Sequence, residues 1–97
     1  MKTMAEKVKM IPPSDFFRAE LSGMPSKKRQ TGWVDGGLCP FHEDHQKGSF
    51  RVNLTTGSFN CFACGARGRA PIDFVMSRDG LRFVDAVKRI AEEWGLA

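Results

Sequence analysis

The sequence predicts a small α+β fold, an antiparallel β-sheet with flanking helices, and three observations predict it. Residues 49–54, SFRVNL, alternate in polarity by two, and SFNCF at 58–62 follows after Thr55-Thr56-Gly57, which is the pattern of a β-hairpin. Beyond Arg82, Phe83, Val84, Val87, Ile90, Ala91 and Trp94 recur at the helical period. Between these segments, Cys39 and His42, then Cys61 and Cys64, form two pairs, each with two residues inside it. Paired donors at that spacing are how tight turns deliver a tetrahedral zinc site, so the fold is expected to be a small zinc ribbon.

A chain of 97 residues has room for one domain, and one this small buries a modest fraction of its surface, so its core alone is expected to give only marginal stability and a staple is expected. Three cysteines cannot all pair as disulfides, and MKTMAEKVKMIPPS has no apolar run of a secretory signal. The expected compartment is therefore the cytoplasm, where cysteines in such spacing hold metal more often than they form bridges. No segment approaches a membrane span, so no membrane partner is expected.

Net charge is +4, and its placement carries information. From Lys27 to Arg69 there are seven bases, Lys27, Lys28, Arg29, Lys47, Arg51, Arg67 and Arg69, against three acids. Elsewhere eight bases meet eight acids. The whole excess falls in the cysteine-bearing part, as expected of a polyanion binder.

Residues 1–13 show no clear period and end in Pro12-Pro13, so they are expected to be a flexible lead-in to a domain over 14–97. Ser14 is the expected N-cap of a short helix through DFFRAEL, with Phe16, Phe17 and Leu21 on its apolar side and Ser22-Gly23 ending it. MPSKKRQ at 24–30 has the composition of an exposed loop, and TGWVDGG leads into Cys39. After GARGRA, Pro71 suits the first turn of a helix through IDFVMSR, which Asp79-Gly80 stops. The last helix has expected outer pairs Asp85–Arg89, Lys88–Glu92 and Arg89–Glu93.

One structural Zn(II) per chain is expected on Cys39, His42, Cys61 and Cys64. Eighteen residues, filled by the hairpin, separate the two pairs, and Gly65 lets the backbone turn about the metal. His45 is a weaker ligand than His42, because five residues separate it from Cys39, too many for a tight knuckle. All four positions can be filled by protein, so the metal is not expected to be catalytic, and no catalytic residue is assigned.

Around the hairpin, Lys47, Arg51, Arg67 and Arg69 mix with Phe59 and Phe62, and Lys27, Lys28 and Arg29 add charge. Single-stranded nucleic acid binds such surfaces through phosphate contacts and base stacking. Each phenylalanine is read either as core or as a stacking platform, and Trp33 either stacks on a base or lies under the knuckle. Trp94 is expected in the core.

CPFH, the following GSF, CFACGARG and IDFVMSRDGLRFVDAVKRIAEEWGL together resemble the N-terminal zinc-binding domain of bacterial and phage-type DNA primases. The resemblance runs from about Ile11 to the C-terminus, with ligands, strands and helices in the same order. It implies the ligand set Cys39, His42, Cys61 and Cys64 and template contact at Lys47, Arg51, Phe59 and Phe62. It implies single-stranded DNA as partner, together with a primase polymerase domain, a helicase or another replication protein. The chain departs from the family after the histidine, where EDHQKGSF stands for a Lys-Thr-Pro-Ser-Phe run and Gly48 replaces proline. Nothing in 97 residues is left to build the family's acidic Mg(II) site, so this chain is expected to bind rather than catalyse. The alternative is a free-standing zinc-ribbon module that docks onto replication or mobile-element proteins through the outer face of its last helix. An enzyme using zinc or a Cys64 thiolate is disfavoured, because the thiols are committed as ligands.

Overall fold

The computed structural model describes residues 2–21, 24, 31–43 and 48–96. Four helices and four strands follow in the order α1 (Met4–Lys9), α2 (Pro13–Glu20), β1 (Trp33–Asp35), β2 (Phe50–Asn53), β3 (Phe59–Cys61), β4 (Arg67–Gly68), α3 (Pro71–Asp79) and α4 (Phe83–Glu93). The strands form one antiparallel meander, β1-β2-β3-β4. The α+β sheet with flanking helices predicted from the sequence is the fold observed, and no helix among the described residues is long and apolar enough to cross a membrane.

The predicted hairpin has its turn where Asn53 Oδ1 accepts from the N–H groups of Thr55 and Thr56, at 2.9 and 3.0 Å. β1 and β4 extend it on either side, pairing Val34 with Val52 and Asn60 with Arg67. At three and two residues, these strands are too short to show a period in sequence. Alternation then sorts the side chains. Phe50, Val52, Phe59 and Cys61 are buried under the helices, while Arg51, Asn53 and Asn60 occupy the opposite face.

Phe74 of α3 sits at the centre of the core. Its ring meets those of Phe16, Phe17, Phe41, Phe50 and Phe59 at centroid separations from 5.4 to 6.3 Å, mostly edge to face, as the ring quadrupoles favour. Arg78, one turn along α3, lies 4.9 Å from the same ring's centroid. It ties three helices together: Arg78 pairs with Glu20 of α2 at 2.7 Å and with Asp79 at 2.9 Å, and Asp79 also takes Arg89 of α4 at 3.1 Å.

Several expectations are corrected. Order does not begin at Ser14. Residues 4–9 form α1, closed by a reciprocal capping box between Thr3 and Glu6, and it packs on α4 and α3 with Val8 and Ile11 in the core. A six-residue helix has no lasting stability of its own, so only these tertiary contacts make it. α2 starts two residues earlier than expected, with Pro13 at its first turn and Pro12, not Ser14, as N-cap. Phe83 and Val84 are exposed at the start of α4, and Ala86 is buried in the stripe instead. Of the outer pairs, the structure forms Arg82–Asp85 and Arg89–Asp79 rather than Asp85–Arg89. Trp94 is partly buried and stacks on Phe16, with centroids 6.4 Å apart. Gly80 ends α3 at φ 65°, as the sequence suggested.

Candidate functional site

Two tight turns bring the four predicted ligands together. The first follows β1, where Asp35 Oδ1 accepts from Gly37 N–H at 2.9 Å and turns the chain toward Cys39. The second leaves β3: Gly65, at φ 79°, donates to the Cys61 carbonyl at 2.9 Å, and Cys61 N–H is bonded to the Ala66 carbonyl at 2.7 Å. A side chain at Gly65 would be strained by that φ, which is why the knuckle needs glycine there.

The donor atoms of Cys39, His42, Cys61 and Cys64 all lie within 4.8 Å of one another. Cys39 Sγ is 3.9 Å from Cys64 Sγ, and His42 Nε2 is 3.5 Å from Cys61 Sγ. A zinc tetrahedron with Zn–S of ~2.3 Å and Zn–N of ~2.05 Å has S–S edges of about 3.8 Å and S–N edges of about 3.5 Å. The donor set fits that ion in size as well as chemistry. The His42 ring is oriented from behind, with Nδ1 3.0 Å from the Glu43 carbonyl, so Nδ1 carries the proton and Nε2 presents its lone pair to the donor cluster.

The thiols differ in their surroundings. Burial pushes Cys39 up to about 12, opposed by the Phe41 N–H that points at its sulfur. Burial also acts to raise Cys61, but the N–H groups of Cys64 and Ala63 and the His42 ring hold it at about 7. A dication must displace the Cys39 proton, so metal loading is coupled to proton release.

Phe41, inside the first pair, was missed by sequence reasoning. Its ring stacks on Phe59 at 5.4 Å and meets Phe50 and Phe74 edge to face, joining the knuckle to the core. The readable signal was a large apolar residue between two ligands.

The exposed face of the sheet is laid out in rows by the pairing register. One row runs Asp35, Arg51, Asn60, Arg67 across all four strands. Trp33 stands beside it on β1, 48% exposed, and Phe62 just beyond β3, 74% exposed. Trp33, Arg51, Asn60 and Phe62 bound a shallow concavity of ≈ 290 Å³. Trp33, Asn60, Arg67 and Arg69 share a neighbouring one of ≈ 620 Å³. No side-chain ion pair engages Arg51, Arg67 or Arg69 among the described residues.

The structure thus places Trp33, Arg51, Phe62, Arg67 and Arg69 together. Phe59 is corrected: it is 1% exposed, paired with Val52 and covered by Phe41, so its ring belongs to the core and cannot stack on a base. Gly68 on β4 lies so close that an added Cβ would stand 2.5 Å from the Phe59 ring. Lys27, Lys28, Arg29, His45 and Lys47 lie outside the described residues.

Comparison with known proteins gives this geometry a family. The DNA primase of Helicobacter pylori is 44% identical over 69 residues, covering 71% of this chain and 12% of that protein. That of Neisseria meningitidis is 40% identical over 94 residues, covering 87% of this chain and 15% of its own length. The Streptomyces coelicolor DNA primase is 47% identical over 60 residues, 62% of this chain and 9% of that one. The chain therefore spans between 9 and 15% of these relatives. The crystal structure of the zinc-binding and RNA polymerase domains of the Aquifex aeolicus primase superposes with a TM-score of 0.71 at 23% identity, over 98% of this chain and 22% of that chain, which shows the shared fold. The family profile described as CHC2 zinc finger matches residues 24–97, across both ligand pairs, the sheet and the last two helices. This chain belongs to the CHC2 zinc-finger family.

Proposed function

We propose that the chain is the single-stranded-DNA-binding module of a DNA primase or replication system, holding template on the exposed face of its sheet while a separate polymerase domain does the chemistry. The observation that carries this reading is the gathering of Trp33, Phe62, Arg51, Arg67 and Arg69 on one face, with the arginines free of side-chain ion pairs among the described residues. Guanidinium groups there would neutralise phosphates, and the two exposed rings would stack on bases. Zinc on Cys39, His42, Cys61 and Cys64 would be structural, one ion per chain. Four protein donors leave no open position, and the ion's work is to clamp β1 and the β3–β4 knuckle so that the face keeps its shape. The relatives' name, DNA primase, supports the setting.

The chain alone is read as non-catalytic. Among the described residues the Cys-His-Cys-Cys group is the metal-type cluster. The carboxylates engaged elsewhere serve structure: Asp79 and Asp85 pair with arginines, and Asp73 accepts from Arg69 N–H.

A second reading, a protein-docking module, is favoured by the exposed Phe83 and Val84 at the start of α4. Titration of single- and double-stranded oligonucleotides at two salt concentrations separates them. Preferred, salt-dependent binding to single strands supports the first reading, and no binding to either leaves the docking reading standing.

A further inference from the structure

The concavity beside β2 and β3 has a composition that a non-specific phosphate track does not require. Register places Arg51 directly opposite Asn60. Trp33 and Phe62 lie diagonally on either side of Arg51: Trp33 pairs with Asn53, two residues along β2, and Phe62 N–H bonds to the Ser49 carbonyl, two residues back. Diagonal neighbours in a sheet stay within reach of long and aromatic side chains. Two rings thus flank two polar heads, and all four line one hollow. Asn60 makes no side-chain hydrogen bond among the described residues, so both its amide donor and its carbonyl acceptor face outward unused. Asp35, opposite Arg51 on β1, instead spends an oxygen on the Gly37 N–H.

Resting on the single-stranded DNA reading above, we propose that this hollow takes one guanine base of the bound strand, and that Arg51 and Asn60 read its edge. The chemistry selects the base. Arg51 is a donor-only fork and needs two adjacent acceptors, while Asn60 Oδ1 needs a donor next to them. Guanine offers O6 and N7 side by side for the fork, the commonest specific arginine contact, and its N1–H and N2–H beside O6 for the carboxamide oxygen. Adenine alternates acceptor and donor along its edge, so the fork is half unpaired. Thymine presents a single O4 there. Cytosine can satisfy both heads through N3, O2 and N4–H, but its single ring covers less of an aromatic platform than a purine does.

The test uses zinc-loaded full chain and oligothymidines that carry one central guanine, adenine or cytosine, compared with oligothymidine alone by fluorescence anisotropy. The guanine strand should bind roughly 5- to 150-fold more tightly than the others, the span of one good bidentate contact. Asn60→Ala should lower that preference while leaving the slope of affinity against salt in place, because Asn60 touches no phosphate. Asn60→Ala is checked by its zinc content and melt, so lost folding is not mistaken for lost reading. Equal affinities for the four strands, a preference for adenine or cytosine, or a guanine preference that survives Asn60→Ala in folded protein overturns the pocket while leaving single-stranded binding intact. No binding to any strand overturns the single-stranded DNA reading and the pocket with it.

Discussion

His42 Nε2 and Cys61 Sγ, nineteen residues apart in sequence, lie 3.5 Å apart, and the same imidazole is held from behind by the Glu43 carbonyl at Nδ1. One ring therefore joins the two halves of the metal centre in a single tautomer. His42→Ala should abolish tight zinc binding and the cooperative melt as completely as Cys61→Ala, since structural zinc supplies about 10 to 16 kcal/mol of apparent binding energy to small domains. His45→Ala should be mild. Elemental analysis and calorimetry on the three variants decide it, and a His45 variant that loses zinc while His42→Ala keeps it would reassign the ligand.

Arg51→Ala should weaken binding to the guanine-bearing strand and remove its advantage over oligothymidine, because the fork that meets O6 and N7 is lost. Arg67→Ala should flatten the slope of log affinity against log salt by about 0.7, the contribution of one neutralised phosphate, whereas Arg51→Ala should leave that slope in place. Stability should change by less than about 0.5 kcal/mol, because the side chain lies on the open face with no ion pair among the described residues. An unchanged affinity for every strand in a folded, zinc-loaded variant would move the DNA path off this face.

Phe59 and Phe62 should behave oppositely. Phe59→Ala removes a fully buried ring and should cost about 3 to 5 kcal/mol of stability. Phe62→Ala should leave the melt nearly unchanged and reduce DNA affinity by about 1 to 3 kcal/mol, the worth of one stacked base, without altering the salt slope. A Phe62 variant that binds like wild type would remove this ring from the site.

The Arg78–Asp79–Arg89 cluster gives stability a specific acid limb. The hydrogen bond from Arg78, with support from Arg89, holds the Asp79 carboxyl below its ordinary range. Its contribution is fully present above the unfolded value of about 3.9 and is lost as pH falls through the lower folded value. Asp79→Asn should cost about 1 to 2 kcal/mol at neutral pH, with solvent screening of Arg89 included, and flatten the acid limb of a denaturation profile. An unchanged profile would mean the cluster orients the helices without stabilising them.

Given template, nucleotides and Mg(II), the purified chain should make no oligoribonucleotide, because phosphoryl transfer needs carboxylates gathered on metal ions around the reacting phosphates. Gel analysis of labelled product is the check, and primer synthesis by the chain alone would overturn the non-catalytic reading.

The sequence by itself determined what is written in local spacing. Two ligand pairs with two residues inside each, the alternation of SFRVNL, the Pro71 start and Gly80 stop of α3, and the helical period through Val87, Ile90 and Ala91 of α4 are all short-range signals, and each matches the structure. Tertiary contact decided the rest. Met4–Lys9 is helical because Val8 and Ile11 find α3 and α4, a burial that no window of thirteen residues encodes. Phe59 on β3 and Phe62 just beyond its end lie three apart, so parity puts them on opposite faces, but only pairing of Phe59 with Val52 decides which faces inward. β1 and β4 exist because the hairpin's edges offer unpaired backbone groups to satisfy. That same pairing gathers Trp33, Arg51, Asn60, Phe62 and Arg67, spread over thirty-five positions, onto one surface: side-chain chemistry is carried by residues, but adjacency across strands is created only by the register.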